Sequence, residues 1–166
     1  NQSNLSGYPA GAVNRHQFSM TQNGGTAMSR GDWSTASSQL LVQPSPVNVG
    51  VQADIDISTN VLTVDVEVYY TGSQTITSNM LNIAVLQHNV LGPQSGGSVY
   101  NPSAIDPVTG LYIHQDMLRH MMTGQWGEQI TNITPGTLYS NTYTWTMPAD
   151  INGVILDKNN ISVVAF

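Results

Sequence analysis

From Val47 onward apolar and polar residues alternate with a period of two, the spacing of strands that have one face on a core and the other in water. In VNVGVQADIDI the odd positions Val47, Val49, Val51, Ala53, Ile55 and Ile57 form the apolar set, while Asn48, Gln52, Asp54 and Asp56 point the other way. The turn STN then leads into VLTVDVEVYY, where Leu62, Val64, Val66, Val68 and Tyr70 are the inward set and Thr63, Asp65 and Glu67 the outward one. These two segments predict an antiparallel hairpin. NMLNIAVLQHNV is apolar on both faces through its middle and predicts a central strand. GTLYSNTYTWTM sets Tyr139, Tyr143, Trp145 and Met147 against Ser140, Thr142, Thr144 and Thr146, and NISVVAF supplies a closing strand. The expected fold class is mainly β: an antiparallel Ig-like β-sandwich over residues 46–166.

Two segments have helical spacing instead. In GDWSTASSQLLVQ, Asp32 is placed to cap a helix, Trp33, Ala36, Leu40 and Leu41 recur on one side, and Pro44 ends it. The stretch around it, residues 1–45, is irregular and poor in apolar side chains, so it predicts a terminal piece of something larger with one helix. The second segment runs from Tyr112 to Thr123, where Met117, Leu118, Met121 and Met122 fit a helix of about three turns stopped by Gly124. It is the one short helix expected to be inserted in the sandwich. Before it lies GPQSGGSVYNPSAIDPVTG, Gly92 to Gly110, a connection long enough to be functional or mobile.

Composition narrows the function classes. Only 8% of the residues are charged and the net charge is −6, with Lys158 the single lysine, so no basic stripe could neutralise phosphates and nucleic acid is not an expected partner. The absence of cysteine excludes disulfides, thiolate metal sites and dithiol redox chemistry in this chain. No apolar run approaches the ~20 residues of a membrane-spanning helix.

Candidate chemistry gathers in YIHQDMLRHMMTGQWGEQI, Tyr112 to Ile130. On the expected helix His114 shares a face with Met117, Leu118 and Met121, and Asp116 shares the other with Arg119 and His120. A zinc helix needs histidines four apart, and His114 and His120 are six apart. A metal-dependent or hydrolytic site around His88, His114 and Asp116 is the alternative reading. Asp54, Asp56, Asp65 and Glu67, all outward on one hairpin, are weak calcium candidates. No GxSxG elbow is present, and no Ser, His, Asp set stands out over another.

LNIAVLQHNVLGPQ, then YIHQDMLRHMMTGQWGEQI, then ISVVAF resemble the C-terminal β-sandwich of the Omp-twenty-eight-related family, outer-membrane or surface lipoproteins of Bacteroidetes. The shared elements are the strand ending before Gly92 and Gln94, the set Tyr112, His114, Leu118 and Arg119, Gly124 with Trp126 and Gly127, and the terminal Val163 to Phe166. SGYPAGAVNR resembles the end of the thioredoxin-like domain that precedes the sandwich in this family, with Pro9 at the position of its cis-proline and GDWSTASSQLLVQ as its last helix. The resemblance implies a C-terminal remnant of a thioredoxin-like domain over residues 1–45, a fragment of a larger lipoprotein or secreted protein, and localisation at the outer membrane or cell surface. It carries no established chemistry over to particular residues, and with no catalytic constellation in the sequence neither a cofactor nor enzymatic activity is expected. The expected function is that of a noncatalytic binding or structural module that presents the Gly92–Gly110 connection to a protein or glycan, with His114, Arg119, Gln94 and Trp126 as candidate interaction or signature residues.

Overall fold

The computed structural model describes residues 4–166, and the chain divides into two compact units, Asn1–Ser45 and Pro46–Phe166. In the first unit, strand β1 (Ala10–Gly11) pairs antiparallel with β2 (Met28–Ser29), and helix α1 spans Trp33–Leu41. The Tyr8–Pro9 peptide is cis, the geometry the resemblance implies for Pro9. Gly11 lies against the indole of Trp33, where an added Cβ would come within 3.0 Å of the ring. The expected helix is present, with two local differences. Asp32 occupies the N-cap but its carboxylate makes no capping hydrogen bond, and Leu41 is 85% exposed. Leu40 shares the face of buried Ala36 four residues back, whereas Leu41 lies one step further round the helix and turns outward.

The second unit contains β3 (Val47–Asp56), β4 (Val61–Tyr70), β5 (Asn79–Leu81), β6 (Ile83–Gln87), β7 (Val90–Gly92), α2 (Gly97–Tyr100), β8 (Tyr112–His114), β9 (Met117–Met121), β10 (Glu128–Ile130), β11 (Leu138–Thr146), β12 (Asp150–Ile151), β13 (Val154–Ile155) and β14 (Ile161–Ala165). One layer is the antiparallel sheet β11-β4-β3; the other is built from β14-β6-β9 with the β10-β5 ladder. It is an antiparallel β-sandwich. Its core joins the inward row of β4, all at most 3% exposed, to Leu81, Ile83, Val85 and Ile130 of the facing layer. Burying each such aliphatic side chain stabilises the fold by about 1.5–3 kcal/mol. Tyr139, Tyr143 and Trp145 of β11 pack on the same core, as their alternation predicts.

The structure corrects the inward set of β3. Val49 and Val51 pair with buried Val68 and Val66, yet are 41% and 43% exposed; of the β3 aliphatics, Val47 and Ile55 are the ones packed on the core. Alternation fixes the face on which a side chain lies, but the second layer does not reach the middle of this edge strand.

The segment predicted as one central strand is interrupted twice. Asn82 separates β5 from β6, and Asn89, with φ 57°, separates β6 from β7. β6 is central as expected, lying between β14 and β9 with Ile83, Ala84 and Val85 at most 6% exposed.

The largest correction concerns residues 112–123, which form no helix. They are the two strands β8 and β9, separated by Gln115 and by Asp116 at φ 53°. Methionine, leucine and arginine favour helices weakly, and the demand of a buried central strand for a partner on each side outweighs that preference. A β-bulge between Val85 and Leu86 lets Leu118 pair with Leu86 and His120 with Val85, so apolar residues at helical spacing fit a strand after all. Gly124 does take the left-handed conformation, φ 72°, but it closes a turn after β9. The inserted helix of the sandwich is the single turn α2, within the connection that precedes β8.

Candidate functional site

β7 and β8 pair so that Val90 faces His114 and Gly92 faces Tyr112. The connection between them is folded, not loose. Gly96 at φ 69° starts α2, a 3-10 turn covers Pro102–Ala104, Ile105 bridges to Tyr112, and Asp106 accepts from the N–H and hydroxyl of Thr109 at 2.8 and 2.5 Å. Between this folded connection and β8 lies an open pocket of about 720 Å³. That size is within the ~300–1,000 Å³ range of small-molecule sites.

Its walls are amides, hydroxyls and rings. A Cβ on Gly97 would stand 2.8 Å from the Tyr112 ring, so glycine is what lets the connection close onto that tyrosine. Asn101 donates from Nδ2 to the Tyr112 hydroxyl at 3.0 Å, and the rings of Tyr112 and His114 stand 4.9 Å apart. At the other end Gln115 and Asn89 are clamped together: Gln115 Nε2 donates to Asn89 Oδ1 at 2.9 Å, and the Asn89 N–H donates to Gln115 Oε1 at 3.3 Å. The Gln94 side-chain amide makes no hydrogen bond among the described residues, and Tyr100 is 88% exposed. No acidic or basic side chain, histidine apart, lines the pocket.

The predicted residues separate accordingly. Gln94 and His114 come together in this pocket. Arg119 does not line it; its Nη2 donates to the Val154 carbonyl at 2.8 Å and so ties β9 to the β12-β13 hairpin. Trp126 lies in the turn before β10, 64% exposed and also outside the pocket. Asp116, Arg119 and His120, expected on one helix face, take separate partners. Asp116 Oδ1 lies 3.4 Å from His88 Nδ1, and His120 stacks on Trp145 at 4.2 Å, where burial pushes its pKa down. His88 Nε2 also meets the Ser162 hydroxyl at 3.0 Å.

Among the described residues no group of three or more His, Asp or Glu side chains could hold a metal ion. Neither the His88, His114 and Asp116 set nor the calcium candidates form such a group. Asp54, Asp56, Asp65 and Glu67 do share the outer face of β3 and β4, and two of them are engaged locally. Asp65 accepts from the Thr142 hydroxyl at 2.5 Å, while Asp56 accepts from Ser58 and Thr59, which hold its pKa down at about 2.

Sequence reasoning missed Asn89, Tyr100, Asn101 and Gln115. A signal existed in the density of amides and tyrosines flanking Gly96 and Gly97, but their convergence depends on the β7-β8 pairing. A second aromatic cluster was also missed. Tyr139 and Tyr143 donate to the two carboxylate oxygens of Glu128 at 2.8 and 2.9 Å, and their hydroxyls stand 2.9 Å apart. Burial, then the contact with Tyr139, raises the pKa of Tyr143 far above the ordinary phenol value.

Comparison with known proteins settles the lineage. The family model described as Outer membrane protein Omp28 matches residues 1–166. The chain belongs to this family. It is therefore an outer-membrane protein, as the resemblance implies, although no described helix is long and apolar enough to cross a membrane. A crystal structure of a domain of the outer membrane lipoprotein Omp28 from Porphyromonas gingivalis is similar at 19% identity, with a TM-score of 0.44, covering 75% of this chain and 77% of that one. No curated protein matches the chain.

Proposed function

We propose that the chain acts at the outer membrane as a noncatalytic binding module whose ligand site is the pocket between the Gly92–Gly110 connection and β8. The partner is a protein or a glycan of the cell surface. One observation carries this reading: a small-molecule-sized concavity on a rigid sandwich is lined by fixed polar groups, while Gln94 and Tyr100 at its mouth are uncommitted. The Asn1–Ser45 unit is, in our reading, thioredoxin-like in kind, and without cysteine it performs no thiol exchange. Fragment mapping tests the site. Small neutral, charged and apolar probes added to the isotope-labelled chain should shift backbone resonances around residues 89–115; shifts confined to other faces, or none, would refute the reading.

A second reading, hydrolysis, has one observation behind it: the row Ser162, His88, Asp116 across β14, the end of β6 and the turn before β9. In it the Ser162 hydroxyl would attack an ester carbonyl carbon and pass its proton to His88 Nε2, which returns it to the departing alcohol; water would then release the acyl group from Ser162, with Asp116 orienting Nδ1 throughout. The 3.4 Å separation exceeds a good hydrogen bond, and the carboxylate is 70% exposed, so water competes for it. The pocket reading is the stronger. A fluorophosphonate probe that labels the wild type no more than Ser162→Ala eliminates hydrolysis.

A further inference from the structure

The chemistry of the pocket walls specifies its ligand more closely. Each class of occupant makes a different demand on them. A phosphate or carboxylate ligand needs cations, and no lysine or arginine lines the pocket. A cationic ligand needs carboxylates, and Asp116, beside the pocket's Gln115, is turned to His88. A purely apolar ligand would desolvate the Gln94 amide, which makes no hydrogen bond within the chain, at a cost of roughly 1–3 kcal/mol for the group left unpaired.

What fits is an uncharged molecule that presents many hydroxyls and also flat C–H faces. Amides suit hydroxyls because each offers donors and acceptors at once, and a vicinal hydroxyl pair can take both from one side chain. Tyrosine rings suit C–H faces, since they bury apolar area while keeping a polar edge in water. The pocket holds both sets side by side. Tyr100 offers an almost free ring, Gln94 an uncommitted amide, and the Asn101–Tyr112 and Asn89–Gln115 pairs are fixed before any ligand arrives. Fixing them in advance lowers the ordering cost of binding.

Resting on the binding reading above, we infer that the pocket is a subsite for a neutral glycan, with Tyr100 as the stacking platform and Gln94 as the hydroxyl-reading amide. On the same wall the His114 ring stands against both Gly92 and the Tyr112 ring.

The test presents the full chain to an array of neutral, sulfated and sialylated glycans, and follows hits by backbone chemical-shift titration. Neutral glycans should bind with shifts around residues 89–115. Tyr100→Ala and Gln94→Ala should each weaken binding about tenfold, as expected for loss of an anchoring contact, with the melting temperature unchanged. Preference for acidic glycans, no neutral hit, or neutral binding indifferent to both substitutions would overturn the inference. If small probes reach the pocket while every glycan misses, the ligand class is wrong and the binding reading survives. If nothing reaches the pocket, both fall.

Discussion

The sandwich contains two clusters of tyrosines with polar partners, and they differ in what is left over. In the Glu128, Tyr139 and Tyr143 cluster each carboxylate oxygen takes a hydroxyl and the hydroxyls meet each other, with Asn141 Nδ2 adding a bond to Tyr139 at 3.3 Å. In the pocket of Tyr100, Tyr112 and Gln94 the bonds stop short, leaving the Gln94 amide without a hydrogen bond and the Tyr100 ring, set against Gly96, 88% exposed. The first arrangement consumes its polarity in fastening β10 to β11. The second keeps polarity available to something outside the chain. The same residue types thus serve stability in one place and, on the proposed reading, recognition in the other, and substitutions should separate the two.

The largest effect is expected at the hinge of the closed cluster. Gly127 precedes Glu128 with φ 82°, and a Cβ there would stand 2.6 Å from the Leu81 carbonyl oxygen and 2.9 Å from Asn82 Nδ2. Gly127→Ala combines left-handed strain with a clash against backbone, so chemical denaturation should show a loss of about 3 kcal/mol or more. A loss below about 1 kcal/mol would mean that the turn adapts and Glu128 is not held from this side.

Next in size is Tyr143→Phe, which removes the donor to one Glu128 oxygen and should cost about 1 kcal/mol. It carries a pH signature as well. The folded pKa of Tyr143 is raised above its unfolded value of 10.0, so the stability it contributes is fully present below that pH and is lost as pH rises beyond it toward the folded value. The wild type should therefore lose stability steeply above about pH 10, and Tyr143→Phe less steeply. Some slope should remain in the variant, because burial raises the pKa of Tyr70 too. Equal slopes would show that Tyr143 titrates freely.

Gly97→Ala probes the open cluster where it is tightest. The added Cβ meets the Tyr112 ring at 2.8 Å, but a half-buried ring can shift, so the stability cost should be about 1 kcal/mol. Moving the ring breaks the Asn101 bond and reshapes the wall. Glycan or fragment binding should fall by more than stability does. Unchanged binding would mean that the Tyr112 wall plays no part in recognition.

How much of this was legible in the sequence follows the same division. The inward rows of β4 and β11 are period-two patterns over nine or ten residues, and the structure has them on the core. The outward Asp54, Asp56, Asp65 and Glu67 were likewise read on the right face, because alternation encodes faces directly. Residues 112–123 were misread because each strand is too short to show a period, and Asp116 in a left-handed turn carries no strong turn signature in sequence. The pocket shared that fate. Gln94 is marked by a family resemblance and His114 already by the local gathering of ionisable residues, whereas Asn89 and Gln115 become neighbours through the β7-β8 ladder, a long-range pairing that local pattern does not contain.

The smallest effect is the most diagnostic. Gln94→Ala removes an amide that makes no hydrogen bond within the chain, and Tyr100→Ala removes a ring that is 88% exposed, so each should change stability by no more than about 0.5 kcal/mol. Thermal unfolding that matches the wild type, together with lost ligand binding, would assign Gln94 and Tyr100 to recognition alone. A melting temperature lowered by several degrees would place them instead with the closed cluster, as struts of the connection, and the contrast between the two regions would disappear.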